Sequence, residues 1–179
     1  MKNASMALMI LVSSVQFIFA EPPSPVPKTG QTTSYRSGDD GDLETGVAWP
    51  NPRFTDLSDG TVKDNLTGLE WVKAPHSLSG NSGRMKWISA IDFCNNLVYA
   101  GHSDWRLPSR KELMSLVDYG RCGLPAGHPF AGVQYSHYWS GTSYAYYTDR
   151  AWYVYMGYGN VDYYYKTRDY YVWPVRGGQ

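Results

Sequence analysis

The side chains that most often carry out chemistry are few and widely spaced in this sequence of 179 residues. It contains two cysteines, Cys94 and Cys122, and four histidines, at positions 76, 102, 128 and 137. These residues form no Cys-x-x-Cys pair and show no spacing typical of a metal site. A hydrolase or an oxidase needs an activated nucleophile, an acid–base pair or a metal, and no Ser, His and Asp residues stand at a recognisable spacing. The sequence therefore predicts a protein that is not an enzyme and that has no cofactor.

Three neighbouring aspartates, Asp56, Asp59 and Asp64, raise the alternative of a calcium site. Their spacing does not match an EF-hand loop, and short turns rich in aspartate are common in proteins that bind no calcium. We therefore predict no metal site, while the sequence leaves calcium binding open.

Tyrosine is the residue type that stands out. Thirteen of the sixteen tyrosines lie between positions 135 and 171, among Asn, Asp, Arg, Ser and Gly. Antibody binding loops have this composition, because tyrosine offers contact area and a hydrogen-bonding tip at a low entropy cost. This segment is therefore the predicted ligand-binding region.

The alternation within this segment predicts which tyrosines face outward. In the β-strand predicted at residues 151–157, Trp152, Val154 and Met156 are expected to face the core, and Tyr153 and Tyr155 to face outward. Stacking on tyrosine suits a sugar ring, a peptide or a protein surface, so the expected partner is a glycan or a surface protein. The predicted ligand-binding residues are Tyr146, Tyr147, Tyr153, Tyr155, Asn160, Asp162, Tyr163, Tyr164, Arg168 and Asp169.

Charge and composition exclude other classes of protein. Lys plus Arg is 16 and Asp plus Glu is 16, so the net charge is zero and no basic field attracts nucleic acid. Apolar residues make up 42% of the chain and include seven tryptophans, which is enough to fill a core. The length suits one domain, since domains cluster near ~100 to 150 residues.

The first twenty residues have the features of a secretory signal peptide. An apolar run over residues 6–20 ends in the small residue Ala20, and two prolines follow Glu21. The run is shorter than the ~20 residues that a membrane-spanning helix needs. No second apolar run follows, so we expect no membrane insertion after signal cleavage. The expected location is the periplasm, the cell surface or the medium.

The remaining chain divides into an arm and a domain. Residues 21–46 are rich in Pro, Gly, Ser, Thr and Asp, which predicts an extended, weakly ordered arm before a domain at 47–179.

Export and an even number of cysteines predict a disulfide between Cys94 and Cys122. In the chain-entropy model, that loop would stabilise the domain by ~3.5 kcal/mol.

Periodicity predicts an α+β domain. A hairpin is expected over 53–64 around Asp59-Gly60, with a third strand at 68–73. One helix is predicted over 85–100, and a second helix from the Ser109 capping box to Gly120. Beyond Gly120 the pattern predicts loops and short antiparallel strands, so the C-terminal half is β-rich.

A set of short motifs resembles the Lcl C-terminal domain family, also called domain of unknown function 1566. They are Val-Pro-Lys-Thr-Gly-Gln at 26–31, Gly-Asp-Asp-Gly-Asp at 38–42, Arg-Phe-Thr-Asp at 53–56, Asp-Gly-Thr-Val at 59–62, Thr-Gly-Leu-Glu-Trp at 67–71, Asp-Trp-Arg-Leu-Pro at 104–108, Tyr-Trp-Ser at 138–140, Ala-Trp at 151–152 and Val-Trp-Pro-Val-Arg-Gly-Gly at 172–178. The resemblance implies a C-type-lectin-like fold on a secreted bacterial protein, in a family that includes the carbohydrate-binding tip of a collagen-like adhesin. The collagen-like stalk of that adhesin is absent from this sequence. In such a fold the motif residues are expected to be structural: Trp105, Arg106, Trp139, Trp152, Trp173 and Arg176.

Three alternatives remain open from the sequence. The fold also carries formylglycine-generating enzymes, which use paired cysteines, and a structural envelope protein is a further possibility. The tyrosine-rich segment also contains the amino acids that are reached when adenines of an Asn codon are randomised, as in the variable proteins of diversity-generating retroelements. A diversified segment and an aromatic-rich β surface in an undiversified protein both fit the sequence.

Overall fold

The computed structural model describes residues 26–78 and 83–177. The predicted signal peptide lies outside the described residues. Within them, nine strands, three α-helices and one 3₁₀ turn follow one another along the chain. They are α1 (Asp40–Leu43), β1 (Phe54–Asp56), β2 (Thr61–Asp64), β3 (Glu70–Val72), the 3₁₀ turn Pro75–Ser77, β4 (Arg84–Met85), α2 (Trp87–Asn95), α3 (Arg110–Ser115), β5 (His137–Ser143), β6 (Arg150–Tyr155), β7 (Asn160–Tyr165), β8 (Tyr170–Tyr171) and β9 (Val175–Arg176).

The strands form two sheets, so the predicted α+β class is confirmed. The smaller sheet has the order β1-β2-β3-β9 and contains the predicted hairpin, with Thr55 opposite Lys63. Ser58 and Gly60 take positive φ angles of 63° and 96° in its turn. The larger sheet has the order β4-β8-β5-β6-β7, and only β5 and β8 pair in parallel within it.

The main core lies between the two sheets and α3. Trp71 and Trp173, from the smaller sheet and the segment before β9, meet edge-to-face at 5.5 Å. Tyr138 and Val154 of the larger sheet are fully buried in the same cluster, together with Leu113 of α3. Five aromatic rings, those of Phe54, Trp71, Phe130, Tyr138 and Trp173, pack there among aliphatic side chains.

Helix α3 begins at the predicted capping box. The Ser109 hydroxyl accepts from the Glu112 N–H, and the Glu112 carboxylate accepts from the Ser109 N–H, which satisfies two free donors of the first turn. Helix α3 is shorter than predicted. Its end tightens into i→i+3 bonds at Leu116 and Val117, and Asp118 then pairs with Gly123.

Helix α2 is also shorter than the predicted 85–100. Met85 belongs to β4, and the helix ends at Asn95. Ala90 and Cys94 face the larger sheet and are fully buried there. Val98, which lies within the predicted 85–100, follows the end of the helix and is 75% exposed.

The predicted disulfide is wrong, because Cys94 and Cys122 are both free. Cys94 lies on the buried side of α2 and packs there as a small apolar side chain. Burial raises the pKa of its thiol to about 12. Cys122 is exposed in the turn that follows α3. The even cysteine count therefore reflects one packing residue and one surface residue.

The described part of the predicted arm packs against the domain. The N–H of Lys28 donates to the carbonyl of Val47, and the N–H of Tyr119 donates to the carbonyl of Thr29. Asp39 caps the short helix α1 by accepting from the Asp42 N–H. Among the described residues, no helix is long and apolar enough to cross a membrane.

The motif residues predicted to be structural take three kinds of position. Trp105, Trp139 and Trp173 are almost completely buried. Trp152 differs from the expectation, since it is only half-buried. Both arginines lie in ion pairs at 2.7–2.8 Å: Arg106 binds Glu112, and Arg176 bridges Glu70 and Asp104.

Candidate binding surface

One face of the larger sheet carries a group of partly exposed aromatic rings. Helix α2 buries Trp139 and Ala151 on this face, and Tyr153 and Tyr170 pack against the same cluster while remaining partly exposed. Beyond the helix, the register places His137 opposite Tyr155, and Tyr153 opposite Asp162. We define the open face as His137, Tyr153, Tyr155, Asp162, Tyr164 and Tyr170.

The rings of the open face hold one another in place. The His137 ring lies 5.0 Å from Tyr170 in a stacked arrangement, and 4.8 Å and 5.0 Å from Tyr153 and Tyr155 in edge contacts. Tyr153 and Tyr170 also meet edge-on at 5.0 Å. Such offset and edge contacts are favourable for aromatic rings, so the surface is formed before any ligand arrives.

Burial favours the neutral forms of Tyr153, Tyr170 and His137 on this face. It raises the pKa of Tyr153 to about 12, with the nearby Asp162 carboxylate as the second cause. It also raises the pKa of Tyr170. Burial lowers the pKa of His137, and the positive charge of Arg84 lowers it further. At neutral pH the open face therefore offers phenol hydroxyls, a neutral imidazole and one carboxylate.

A polar cleft of about 460 Å³ borders the open face at Tyr170. Arg84, Thr167, Arg168 and Asp169 line the cleft. The Arg84 guanidinium donates from Nε and Nη2 to the carbonyl of Asp169. The Arg168 guanidinium lies 5.4 Å from the ring of Tyr164 and so joins the cleft to the open face.

A second aromatic group lies on the opposite face of the same sheet. We define the edge cluster as Tyr144, Tyr147, Arg150, Trp152, Tyr163 and Tyr165. Tyr144 stacks on Tyr163 at 4.0 Å, and Trp152 meets both rings edge-on. The Arg150 guanidinium lies 4.5 Å from Tyr147 and 4.6 Å from Tyr165.

The structure divides the predicted ligand-binding residues between these two faces. The open face and its rim hold Tyr153, Tyr155, Asn160, Asp162, Tyr164, Arg168 and Asp169. The edge cluster and its rim hold Tyr146, Tyr147 and Tyr163. Period-two alternation explains the division, because neighbouring residues of β7 point to opposite sides of the sheet.

Sequence reasoning missed His137, Tyr170 and Arg84, which complete the open face and its cleft. His137 lies in β5, whose burial does not alternate along the strand, so a period-two reading gave no signal for it. Tyr170 and Arg84 lie in two-residue strands, which are too short to show any period. Arg150 was missed in the edge cluster because it begins a strand whose pattern was read from Ala151 onward.

The three aspartates considered for calcium each have another partner. The Asp56 carboxylate binds Lys73, and Asp59 accepts from the N–H and hydroxyl of Thr61. Asp64 forms a buried ion pair with Arg53. Over 26–78 and 83–177, no group of three or more acidic, histidine or cysteine side chains is arranged to hold a metal ion.

These features define the class of protein: an α+β domain whose larger sheet carries partly exposed tyrosines on both faces. The profile of the Lcl C-terminal domain matches residues 60–176, which is well over half of the chain. The chain therefore belongs to the Lcl C-terminal domain family. No curated protein matches it.

Proposed function

We propose that this protein is a secreted or surface-exposed binding module of the adhesin type, which recognises a glycan or a protein through its tyrosine-rich surface. The observation that carries the proposal is the open face, where partly exposed rings with neutral hydroxyls surround His137 next to a polar cleft. Contiguous exposed aromatic groups of this kind are typical of binding sites.

The proposal includes a C-type-lectin-like fold for the domain, as the family resemblance implies. It also includes diversification of the tyrosine-rich segment as one origin of its composition. Diversification is supported by the position of the tyrosines of β6 and β7, because all of them are at least partly exposed, whereas the buried residues of β6 are Ala151 and Val154. Sequencing the DNA downstream of the gene tests it: a near-copy of the last third, with substitutions at adenines beside a reverse transcriptase gene, supports diversification.

An enzyme on the same fold is the competing proposal. Formylglycine-type chemistry needs two thiols that act together, whereas Cys94 is buried and Cys122 is exposed. Burial also keeps the Cys94 thiol protonated, and the thiolate is the reactive form. A structural envelope protein is the other alternative, and it would not require the open face to bind a ligand.

A glycan array and a cell-surface pull-down with matched variants test the proposal. The first variant, Tyr153→Ala with Tyr155→Ala, removes two rings of the open face. The second variant, Tyr147→Ala with Tyr163→Ala, removes two rings of the edge cluster and serves as the matched control. Loss of capture by the first variant alone assigns the site to the open face.

The melting temperatures of both variants must be measured beside capture. Partly exposed rings contribute modestly to stability, so we expect a folded domain in each case. Equal capture by the wild type and both variants contradicts the proposed function. Loss by the second variant alone moves the site to the edge cluster.

A further inference from the structure

Strand β7 leaves one of its edges without a neighbouring strand. It is the outer strand of the larger sheet and has six residues, whereas β4 at the other end has two. Exposed strand edges present unpaired N–H and C=O groups to other chains. The outer edge of β7 is therefore the longest open edge among the described strands.

The hydrogen bonds of the ladder identify the groups that point outward. The Lys166 N–H donates to the carbonyl of Asp149 at 2.9 Å, one step beyond the last pair of β6 and β7. Hydrogen-bonded pairs alternate with pairs that are not in an antiparallel ladder. The backbone groups of Val161, Tyr163 and Tyr165 therefore point away from β6. Of these, the Tyr165 carbonyl already accepts from the N–H of Arg168 at 3.0 Å and would share that carbonyl with a partner strand.

Side-chain contacts agree with this assignment. The Tyr163 N–H, which points outward, donates to the Oδ1 atom of Asp162 at 2.8 Å instead of to a strand. The strand contains no proline and no lysine, the residues that commonly protect edges. Lys166 follows the strand, but its Nζ atom is held by Ser143 and Thr148.

We propose that the outer edge of β7 pairs with the same edge of a second copy of this chain, joining two sheets into one. A two-fold axis perpendicular to the sheet keeps each side chain on its own face. In such a dimer one residue lies directly opposite its own copy, and the axis passes midway between the two copies. An axis at Asp162 would place two carboxylates directly opposite each other, which is destabilising. An axis at Tyr163 instead places Asp162 opposite Tyr164, and Asn160 opposite Lys166, with no like charges paired.

This register is self-complementary over the whole strand, and this property favours a second copy over an unrelated partner. An axis farther along β7 in either direction shortens the overlap. Stable interfaces bury about 1,200–2,000 Å², and one strand edge buries less, so we expect reversible dimers with a dissociation constant of ~10 to 100 µM. The Tyr163 N–H must also leave Asp162 before it can donate across the axis, which limits affinity.

Sedimentation velocity of the purified protein, at chain concentrations from about 1 to about 300 µM, tests the association. Val161→Pro removes an outward N–H and leaves every bond to β6 in place, as edge prolines do. Val161→Ala is the matched control, because it loses the same packing against the core but keeps the N–H. We expect dimers from the wild type and Val161→Ala, and at least tenfold weaker association of Val161→Pro.

A monomeric wild type at every concentration overturns the proposal, and so does dimerisation of Val161→Pro equal to that of Val161→Ala. A cysteine variant covers the case in which Val161→Pro does not fold. Tyr163→Cys in a Cys122→Ser background places two thiols across the axis at a Cα separation of about 5.5 Å, within disulfide range. Tyr158→Cys, at a position 65% exposed in the β6–β7 turn, is its control.

Mild oxidation should convert Tyr163→Cys into a covalent dimer and leave Tyr158→Cys mostly monomeric. Equal cross-linking of the two variants contradicts the register. Neither result depends on the ligand, so the failure of this proposal is distinguishable from failure of the proposed binding function.

Discussion

Asp64→Asn should destabilise the domain strongly. The Asp64 carboxylate is fully buried and accepts from Arg53 Nε at 2.8 Å and Nη2 at 3.0 Å. It also accepts from the Leu66 N–H and the Thr67 hydroxyl, which shapes the turn after β2. The substitution keeps the shape but leaves the buried Arg53 guanidinium without its counter-charge, and breaking such pairs costs ~3 to 5 kcal/mol.

Asp56→Asn is the matched control on the same hairpin. Asp56 binds Lys73 at 2.6 Å, but both side chains are about one-third exposed. Exposed pairs contribute about 0 to 1 kcal/mol, because water and salt screen them. The predicted difference between the two variants is therefore several kcal/mol for the same chemical change.

Urea denaturation of the two variants measures this difference directly. Arg53→Met with Asp64→Leu should recover part of the loss, since both buried charges are then removed, while the Leu66 N–H and the Thr67 hydroxyl lose their acceptor. A metal chelator should change neither urea-denaturation curve if these carboxylates serve as ion-pair partners and caps instead of calcium ligands. Equal midpoints for Asp64→Asn and Asp56→Asn would refute the assignment of Asp64 as a buried structural charge.

Three further predictions concern packing, pH and thiols. Trp105→Ala should lower the free energy of unfolding by ~3 to 5 kcal/mol, because Trp105 is almost completely buried. Trp152→Ala should lower it by about half as much, because Trp152 is only half-buried, and thermal melts measure both changes. Burial lowers the pKa of His76 below 6.5, so its neutral form stabilises the fold above that pH and the contribution is lost as pH falls through the folded value. His76→Gln should therefore reduce the fall in melting temperature between about pH 7 and about pH 5, and an unchanged fall would contradict this. A thiol reagent should label Cys122 in the native protein and Cys94 only after unfolding, because the latter is buried with a pKa of about 12; two labelled native thiols would contradict the packing.

Local signals in the sequence predicted local structure well. The hairpin at 53–64 and the Ser109 capping box were found because their chemistry is contained in a few adjacent residues. Helix lengths were overestimated where the ends are fixed by distant partners. Met85, for example, pairs with Tyr170 of β8 instead of beginning α2.

Long-range features of the candidate site could not be read from the sequence. Alternation along β6 was sufficient to separate Tyr153 from Val154. It gave no indication that β8 inserts between β4 and β5, which places Tyr170 against His137. Pairing between strands far apart in sequence depends on the whole fold, so the complete open face emerged only from the structure.

The tyrosines of the sheet contribute to both the scaffold and the surface, and this double role explains how the surface can be ready for binding. Each ring of the open face is partly buried by its neighbours, so the rings have already lost most of their rotational freedom. A ligand that meets rigid rings has less ordering to oppose its binding. The sheet beneath is held by Tyr138 and Val154 from the opposite side, which no ligand on the open face needs to disturb. Tyr153 and Tyr170 also pack against the buried cluster around Trp139, so their replacement would disturb that cluster. Tyr155, Asp162 and Tyr164 are not part of either buried cluster and can change with little effect on the core, which is the property that a recognition surface of variable sequence requires.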